Sequence, residues 1–205
     1  MAIDNNVTDN LQHVDWSKIP EPEDDGAAAH LTGLTLPSLS LNASDGSQVN
    51  IAQLKGRTIV YTYPMTARPG TPLPDGWNTI PGARGCTPQS CSFRDHMQEL
   101  TALGVQHLFG LSTQDTSYQQ EAVNRLHLPF SLISDHKMQL QQALNLPVMS
   151  VEGVRLLKRL TMVVDDSTIT KVFYPVFPPD KNVTNVINWL TNKVKKSQQK
   201  TEQNL

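Results

Sequence analysis

The stretch "RTIVYTYP", Arg57 to Pro64, decides the fold of this chain. It is a run of β-branched and aromatic residues, which fit the pleated surface of a sheet. It ends at a proline, which cannot donate a hydrogen bond to a strand ladder. Short apolar runs bounded in this way are typical of buried strands. We therefore predict a central strand here, and its carboxyl end leads towards both cysteines of the chain.

Strand and helix patterns alternate along the rest of the chain. Upstream, "LTGLTLPSLSLNASDGSQVNIAQL" alternates leucines with small polar residues around "SDGS", which predicts a short hairpin. Downstream, strands are predicted in "VQHLFGLST", "FSLIS" and, as two strands around a turn, "RLTMVVDDSTITKVFYPV". Helices are predicted in "CTPQSCSFRDHMQELTAL", "TSYQQEAVNRLHL", "KMQLQQALNL" and "NVTNVINWLTNKV". This order indicates the α/β class, with the last pair of strands antiparallel.

The chain has 205 residues, which suits one globular domain with terminal extensions. Residues 1–28 are acidic and polar and predict an N-terminal arm, residues 29–192 predict the domain, and residues 193–205 predict a polar C-terminal tail. Inside the domain, residues 65–85 are dense in proline and glycine. This segment is longer than an ordinary connection, so we expect it to be functional or to cover something.

Composition excludes several classes of partner. The formal net charge is −2, so no basic field is expected to attract nucleic acid or an anionic membrane surface. No apolar run approaches the roughly 18 to 20 residues of a membrane span. The N-terminus has neither a basic start nor an apolar stretch. We therefore expect a cytoplasmic protein without a nucleic-acid or membrane partner.

The two cysteines, Cys86 and Cys91, lie at the start of a predicted helix with Thr87 as a possible N-cap and Pro88 at the first helical position. In a reducing compartment, a close pair of this kind is more often catalytic or redox-sensing than structural. A metal site is not expected, because Cys86, Cys91 and His96 do not share a helix face. An inert helix thiol remains an alternative for Cys91 alone.

Reactivity of a cysteine requires a nearby cation. The thiolate is the nucleophile, and an ordinary thiol has a pKa near 8.5. Lowering such a pKa by about 2.5 units takes roughly 3.4 kcal/mol. A helix N-terminus supplies about 0.3 to 1 kcal/mol, and up to about 2 in a partly buried site. Arg84, Arg94 and Arg159 are the candidate cations, and one that starts a strand at the same sheet edge would be held rigidly.

The spacing of the cysteines constrains a disulfide between them. Two helical residues five apart have Cα atoms roughly 8 to 9 Å from each other. A disulfide tolerates at most about 7 Å. The pair therefore cannot close without unwinding the start of the helix, unless Cys86 already lies outside it. Such a pair suits a cycle in which one sulfur reacts while the helix is folded and the other reaches it after local melting.

From Leu31 to Leu190 the chain resembles the peroxiredoxins, and in particular the Q-type group, also called bacterioferritin comigratory protein. The family pattern of strand, Tyr-Pro and then Gly-Cys-Thr-x-x-x-Cys-x-x-Arg-Asp is matched by "TIVYTYP" and "GCTPQSCSFRD". The segments "LFGLSTQD", "LPFSLISD" and "KRLTMVVDDSTITKVF" resemble later parts of the family pattern. The resemblance implies a thioredoxin-like fold, with a central mixed β-sheet flanked by helices, and chemistry without a metal or bound organic cofactor.

The resemblance also implies residue roles. It identifies Cys86 as the peroxidatic cysteine, Cys91 as the resolving cysteine, and Arg159 as the arginine that stabilises the thiolate and the peroxide. It assigns substrate binding to Pro64, Thr66, Gly85 and Thr87. The implied activity is reduction of hydrogen peroxide or organic hydroperoxides, through a sulfenic acid and an intramolecular Cys86–Cys91 disulfide. The implied reductant is thioredoxin or a glutaredoxin, and the implied assembly is a monomer or a homodimer.

The long insertion interrupts one family motif. In Pro-x-x-x-Thr-x-x-Cys, the threonine hydroxyl helps to bind peroxide, but Ala83 stands at the threonine position and Thr79 at the proline position. Thr66, Thr71 or Thr79 is expected to fold back and supply the hydroxyl. Trp77, together with "YPVFPPD" near the C-terminus, is a candidate for an apolar mouth that admits organic hydroperoxides.

Two further functions remain open at this point. The broken threonine motif and the long insertion are compatible with a peroxide sensor or redox adaptor on a peroxiredoxin scaffold. Thiol–disulfide exchange on protein substrates is the other alternative. That chemistry usually has a C-x-x-C spacing, which this chain lacks.

Overall fold

The computed structural model describes residues 14–202. Five α-helices lie in this range: α1 (Cys86–Asp95), α2 (Met97–Ala102), α3 (Thr116–Leu126), α4 (Gln139–Leu144) and α5 (Asn182–Glu202). The strands are β1 (Leu41–Ala43), β2 (Gln48–Val49), β3 (Arg57–Thr62), β4 (Val105–Ser112), β5 (Leu132–Ser134), β6 (Val148–Val151), β7 (Val154–Leu157), β8 (Leu160–Asp165) and β9 (Thr168–Phe173).

Seven of the strands form one mixed sheet in the order β2-β1-β5-β4-β3-β8-β9. Strand β4 pairs in parallel with β3 on one side and with β5 on the other. The other pairings in this sheet are antiparallel. The predicted α/β class, the central mixed sheet and the antiparallel last pair are therefore confirmed. The predicted "SDGS" hairpin is also present, since β1 and β2 pair with Leu41 opposite Val49.

Strand β3 lies inside the sheet with a core on each of its faces. Ile59 and Tyr61 point into the core beneath α1, α3 and α5, where the Tyr61 ring stacks on Phe93 with centroids 4.6 Å apart. Val60 points into the opposite core, which α4 completes. Because successive side chains of a strand alternate between faces, burial on both sides explains the nearly continuous apolar sequence of this strand.

The start of α1 differs from the sequence prediction. Gly85, not Thr87, is the N-cap residue, with a φ of 108° that favours glycine, and Cys86 is the first helical residue. The prediction of Thr87 as N-cap is wrong because the left-handed turn at Gly85 starts the helix one residue before Thr87. The predicted single helix is also two helices, since His96 separates α1 from α2.

The sequence prediction missed the hairpin of β6 and β7. These two short strands pair with Val151 opposite Val154, around a turn in which Glu152 and Gly153 both have positive φ. A two-residue turn of this geometry matches the natural twist of a hairpin. The hairpin stands outside the main sheet and packs against the insertion, where Trp77 contacts Val151 and Leu156 in a small separate core.

The two ends of the described chain both contact the domain or extend it. Helix α5 continues to Glu202, so most of the segment predicted as a polar tail is helical. Residues 14–28 of the predicted arm run along the domain, whereas residues 1–13 and 203–205 lie outside the described range. No helix within residues 14–202 is both long and apolar enough to cross a membrane.

Candidate active site

The candidate site lies where the end of β3 meets the beginning of β8. These strands are antiparallel, and Thr62 at the end of β3 pairs with Leu160 at the beginning of β8. The Thr62 hydroxyl accepts a hydrogen bond from the Leu160 amide at 3.0 Å and donates one to the Lys158 carbonyl at 2.6 Å. These bonds fix the backbone on both sides of Arg159, which directly precedes β8.

Cys86 and Arg159 are in direct contact. The Arg159 Nη2 atom lies 3.2 Å from the Cys86 Sγ atom. Both side chains are buried, with 3% and 2% of their surfaces exposed. The Sγ atom also lies 3.6 Å from the carbonyl oxygen of Ala83, to which a thiol can donate. Arg159, one of the three cations considered from the sequence, is therefore in direct contact with the sulfur, and Arg84 lines the same cavity as Cys86.

The guanidinium of Arg159 is held by neutral groups. Its Nη2 atom donates to the carbonyls of residues 82–84 at 3.2 to 3.4 Å, and its Nη1 atom donates to Gln89 Oε1. Gln89 in turn donates to Asn182 Oδ1 at 2.9 Å, and that oxygen also accepts from the Thr161 hydroxyl at 2.6 Å. No carboxylate among the described residues pairs with Arg159, so its charge is left to act on the sulfur.

The residues that orient Arg159 were not found from the sequence. Gln89 follows Cys86 by three positions, which is nearly one helical turn, so helical spacing could have pointed to a shared face. Asn182 begins α5 and Thr161 lies in β8. Neither belongs to a local pattern that would relate it to the cysteine. Their contribution depends on contacts between residues far apart in sequence.

The insertion forms one wall of a cavity beside Cys86. The cavity has a volume of about 310 Å³. Its apolar lining includes Met65, Leu73 and Trp77 from the insertion. Arginines also line it: Arg68, Arg84 and Arg125. Arg125 is paired with Glu121 at 2.6 Å, and no carboxylate is among the described residues that line the cavity.

Two of the four predicted substrate-binding residues face this cavity. Gly85 and Thr87 line it together with Cys86. The Thr87 hydroxyl makes no hydrogen bond to any of residues 14–202, although the residue is largely buried. Pro64 is buried, but it does not line the cavity.

The threonines considered as replacements for the family hydroxyl do not line the cavity. Thr66 is buried, and its hydroxyl donates to Gln114 Oε1 at 3.1 Å. Thr79 is exposed, and its hydroxyl donates to the Gly76 carbonyl at 2.7 Å. Thr71 is also exposed. The structure therefore gives none of the three a position beside the sulfur.

Cys91 has a different environment, although it lies on the same helix. It is half-buried and lines a second cavity of about 580 Å³ with Val14, Trp16 and Arg94. Burial raises the pKa of the Cys91 thiol, and the charge of Arg94 opposes this shift. Arg94 itself is bound by Asp95 at 2.8 Å.

Both cysteines are free thiols in this structure. They are residues of one helix, and Cys86 begins it. Helical residues five apart have Cα atoms roughly 8 to 9 Å from each other, so a disulfide requires the first turn of α1 to open.

The segment "YPVFPPD", Tyr174 to Asp180, does not share the Cys86 cavity with Trp77. Its Phe177 ring instead packs edge-on against the Trp16 ring, with centroids 6.0 Å apart. Its Pro179 side chain lies against Gly85 from outside the cavity. The segment therefore supports the start of α1 and does not form a mouth for the cavity.

This combination of a mixed sheet, a helix-start cysteine and a buried arginine at the strand ends belongs to the thioredoxin-like class of folds. A model of the redoxin family matches residues 31–187, so this chain belongs to the redoxin family. Similar proteins confirm the resemblance to Q-type peroxiredoxins inferred from the motifs.

Two relatives illustrate the sequence similarity. Peroxiredoxin Q, chloroplastic, from Oryza sativa subsp. japonica is 29% identical over 153 residues, which cover 74% of this chain and 62% of that protein. Peroxiredoxin Bcp from Escherichia coli strain K12 is 36% identical over 104 residues, which cover 50% of this chain and 56% of that protein. The matched region therefore spans less than two thirds of either relative.

Solved structures show the same fold. Peroxidoxin BcpB from Mycobacterium tuberculosis superposes with a TM-score of 0.63 at 21% identity, covering 78% of this chain and 96% of that one. Peroxiredoxin Q from Xanthomonas campestris superposes with a TM-score of 0.61 at 21% identity, with the same coverage of 78% and 96%. The thioredoxin-like fold predicted from the sequence is thereby confirmed.

Proposed function

We propose that this protein is a thiol-dependent peroxidase that reduces hydrogen peroxide and organic hydroperoxides. The observation that carries the proposal is the 3.2 Å contact between the Arg159 Nη2 atom and the Cys86 Sγ atom, with both side chains buried. Membership of the redoxin family supports it. So does a structural neighbour, the Xanthomonas campestris bacterioferritin comigratory protein, which has alkyl peroxide reduction activity.

In the first step the Cys86 thiolate attacks one oxygen of the peroxide. The O–O bond breaks, the sulfur becomes a sulfenic acid, and the other oxygen leaves as water or an alcohol after taking a proton. Arg159 stabilises negative charge on the sulfur before the attack and on the oxygens during it. The unpaired backbone N–H groups of the first turn of α1, next to Gly85 and Thr87, act in the same direction.

The cavity beside Cys86 supports the inclusion of organic hydroperoxides. Transfer of an alkyl group from water to an apolar surface is favourable, by about 25 cal/mol for each Å² of apolar area that is buried. The side chains of Met65, Leu73 and Trp77 offer such a surface next to the sulfur. Hydrogen peroxide needs none of this surface, so the insertion is expected to affect the two kinds of substrate differently.

In the second step Cys91 attacks the sulfenic acid. The first turn of α1 opens, an S–S bond forms between Cys86 and Cys91, and water leaves. An external dithiol, thioredoxin or a glutaredoxin, then reduces this disulfide by exchange. The dithiol attacks one sulfur of the Cys86–Cys91 bond, the other sulfur leaves as a thiolate, and the second thiol of the dithiol then releases the protein from the mixed disulfide.

We further propose that the cycle runs in a reducing compartment such as the cytoplasm, where exchange with small dithiol proteins keeps both cysteines free. The plant relatives are chloroplastic, and the Escherichia coli relative is bacterial. Whether the chain acts as a monomer or a homodimer stays a prediction from the resemblance.

Peroxide-dependent oxidation of reduced thioredoxin tests the proposal. The wild-type protein should turn over, Cys86→Ser should be inactive, and Cys91→Ser should consume one equivalent of peroxide and then stop. Mass spectrometry after one equivalent of hydrogen peroxide should show the loss of two hydrogens in the wild type and the gain of one oxygen in Cys91→Ser. Turnover by Cys86→Ser at the wild-type rate would contradict the proposal.

One observation favours a second function, that of a peroxide sensor or redox adaptor. Ala83 replaces the family threonine, and none of Thr66, Thr71 and Thr79 lines the Cys86 cavity. A peroxide that lacks this hydroxyl partner should react more slowly. Slow turnover, combined with a protein partner captured only by the oxidised form, would favour the sensor over the peroxidase.

A further inference from the structure

A segment before the family-matched region crosses the start of α1. Residues 14–25, here called the strap, precede residue 31, where the match to the redoxin family begins. A Cβ atom added to Gly85 would lie 2.9 Å from Cη2 of Trp16, so the indole ring touches the backbone directly before Cys86. Val14 lines both the Cys86 cavity and the Cys91 cavity. The strap therefore lies between the surroundings of the two sulfurs.

The C-terminal end of the strap contacts the residues just before β8 and just after β9. Asp25 forms an ion pair with Lys158 Nζ at 2.6 Å and accepts a hydrogen bond from the Tyr174 hydroxyl, also at 2.6 Å. Pro22 lies against Gly82, since an added Cβ there would be 3.5 Å from the Pro22 Cβ atom. The strap thus contacts the loop before α1 at two positions: Pro22 lies against Gly82, and Trp16 lies against Gly85.

Gly85 is the backbone position directly before Cys86, and the strap covers it. Its φ of 108° places it in the left-handed region, and it links the preceding loop to the first helical residue. Trp16 packs on it from one direction and Pro179 from another, with an added Cβ only 2.5 Å from Pro179 Cγ. Movement of Cys86 out of the helix must break these contacts. The strap therefore adds to the free energy of the opening that a disulfide requires.

We infer that Trp16 is a positioning residue that holds the first turn of α1 closed. It thereby slows the attack of Cys91 on the sulfenic acid of Cys86. The inference rests on the proposed function, because it concerns the second step of that cycle. Trp16 contacts the backbone beside the reacting sulfur and the wall of the Cys91 cavity, but no reacting atom.

Two reactions compete for the sulfenic acid of Cys86, and the strap decides between them. In the first, the Cys91 thiol displaces water to give the disulfide. In the second, a further peroxide transfers an oxygen and leaves as water or alcohol, which gives a sulfinic acid that a dithiol does not reduce. A closed first turn delays the first reaction and leaves the second unaffected. The strap thereby makes the protein more sensitive to inactivation by excess peroxide.

The test compares Trp16→Ala with Trp16→Phe, which keeps an aromatic ring, and with Lys18→Ala as a matched control. The Lys18 side chain is 81% exposed and pairs within the strap with Asp15, so its removal leaves Gly85 covered. In Trp16→Ala, disulfide formation after one equivalent of peroxide should be about tenfold faster, within the factor of 5 to 30 that 1 to 2 kcal/mol produces. The peroxide concentration that converts half of Cys86 to sulfinic acid should rise by a similar factor. Trp16→Phe should fall between Trp16→Ala and the wild type, and Lys18→Ala should match the wild type.

Hydrogen exchange of the amides of residues 89–91, the first that are hydrogen-bonded within α1, provides a readout in the reduced protein that is independent of peroxide. Trp16→Ala should exchange them about tenfold faster, with exchange in β3 and β4 unchanged. Unchanged exchange at residues 89–91, or an unchanged rate of disulfide formation, overturns the inference. If Trp16→Ala does not fold, Asp25→Asn releases the other end of the strap and should act in the same direction.

The two proposals fail separately. If Cys86 of the wild type is not oxidised by stoichiometric peroxide, the peroxidase proposal fails, and exchange at residues 89–91 still decides whether the strap holds the helix closed. If oxidation proceeds and Trp16→Ala forms its disulfide at the wild-type rate, the strap inference fails and the peroxidase proposal stands.

Discussion

Cys86 and Cys91 share a helix yet lie in contrasting surroundings. Cys86 contacts a buried arginine whose other described partners are all neutral, at the end of the helix where backbone N–H groups are unpaired. Cys91 lies further along the helix, where burial raises the pKa of its thiol, and Arg94, whose charge opposes this shift, is bound to Asp95. The difference teaches that helix position alone does not assign a role to a thiol. What separates the two is which charges the fold leaves unpaired beside each sulfur.

The largest effect is expected from removing the Arg159 charge, which distinguishes Cys86 from Cys91. Arg159→Gln should slow the reaction of Cys86 with peroxide by about 10²- to 10³-fold, the usual result of removing a preorganised electrostatic group. Alkylation of Cys91 should change little, so the two thiols would become similar. Stopped-flow oxidation and competitive alkylation measure the two rates. Arg159→Lys keeps the charge and should retain part of the rate, whereas a fast Arg159→Gln enzyme would remove the basis of the comparison.

A smaller effect is expected from removing Gln89, which accepts a hydrogen bond from Arg159 and so orients its guanidinium group. Gln89→Leu removes the acceptor of the Arg159 Nη1 atom and should slow Cys86 oxidation by about tenfold, the size expected for one hydrogen bond to a charged group. Gln98→Leu, at an exposed position of α2, is the matched control and should have no effect. Competitive alkylation should show the same slowing at Cys86 and none at Cys91, which a general loss of stability would not cause. An unchanged rate of Cys86 alkylation would mean that Gln89 only supports the fold.

The two steps of the cycle should respond differently to pH. Because burial raises the pKa of Cys91, its thiolate fraction and hence the rate of disulfide formation should increase about tenfold per pH unit across neutral pH. Arg94→Gln removes a charge that favours the Cys91 thiolate, so disulfide formation should slow by a few-fold at pH 7 while the first oxidation is unchanged. Quenched-flow sampling between pH 6 and 9 measures both steps. A disulfide rate that levels off below about pH 8 would contradict this expectation.

The smallest effect is expected from restoring the threonine hydroxyl of the family motif at position 83. Ala83→Thr should speed the reaction with hydrogen peroxide by about fivefold, as one neutral hydrogen bond of roughly 1 kcal/mol allows. Ala83 is fully buried, so the added atoms also bring strain. Ala83→Val has nearly the same shape without the hydroxyl and corrects for that strain. A rate for Ala83→Thr no higher than for Ala83→Val would show that another group, such as the Thr87 hydroxyl, already binds the peroxide.

The parts of the site that the sequence predicted are those with a local signature. A β-branched run marks β3, and the strand that begins after Arg159 fixes the position of this arginine at the sheet edge. The helix α1 was also predicted, although its N-cap was placed at Thr87 instead of Gly85. The bonds from Gln89 to Asn182 and from Asn182 to Thr161 join α1, α5 and β8, and no short-range pattern relates these residues. The hairpin β6–β7 was missed because its strands are short and pair only with each other.

The path of the insertion was also beyond a pattern-based prediction. Proline and glycine indicated that the segment is irregular, but not which side chains it presents to the sulfur. Trp77 faces the cavity because the insertion packs on the hairpin β6–β7, a contact that depends on two segments far apart in sequence. The expected return of a threonine hydroxyl failed to appear for the same reason. Side chains along the insertion are placed by packing, and Thr66 is placed against Gln114.

The hydrogen bonds that tie α1 to the C-terminal part of the chain have an electrochemical consequence. Gln89 bonds to Asn182, and the Ser92 hydroxyl donates to the Asp180 carbonyl at 2.7 Å. In the proposed cycle the Gln89 bond is complete only in the dithiol state, because the disulfide requires the first turn of α1, which contains Gln89, to unwind. Each one that is lost on oxidation makes the dithiol relatively more favourable and moves the midpoint potential of the couple upward. In the proposed cycle, the potential at which the protein exchanges electrons is thus set partly by hydrogen bonds to a segment that carries no sulfur.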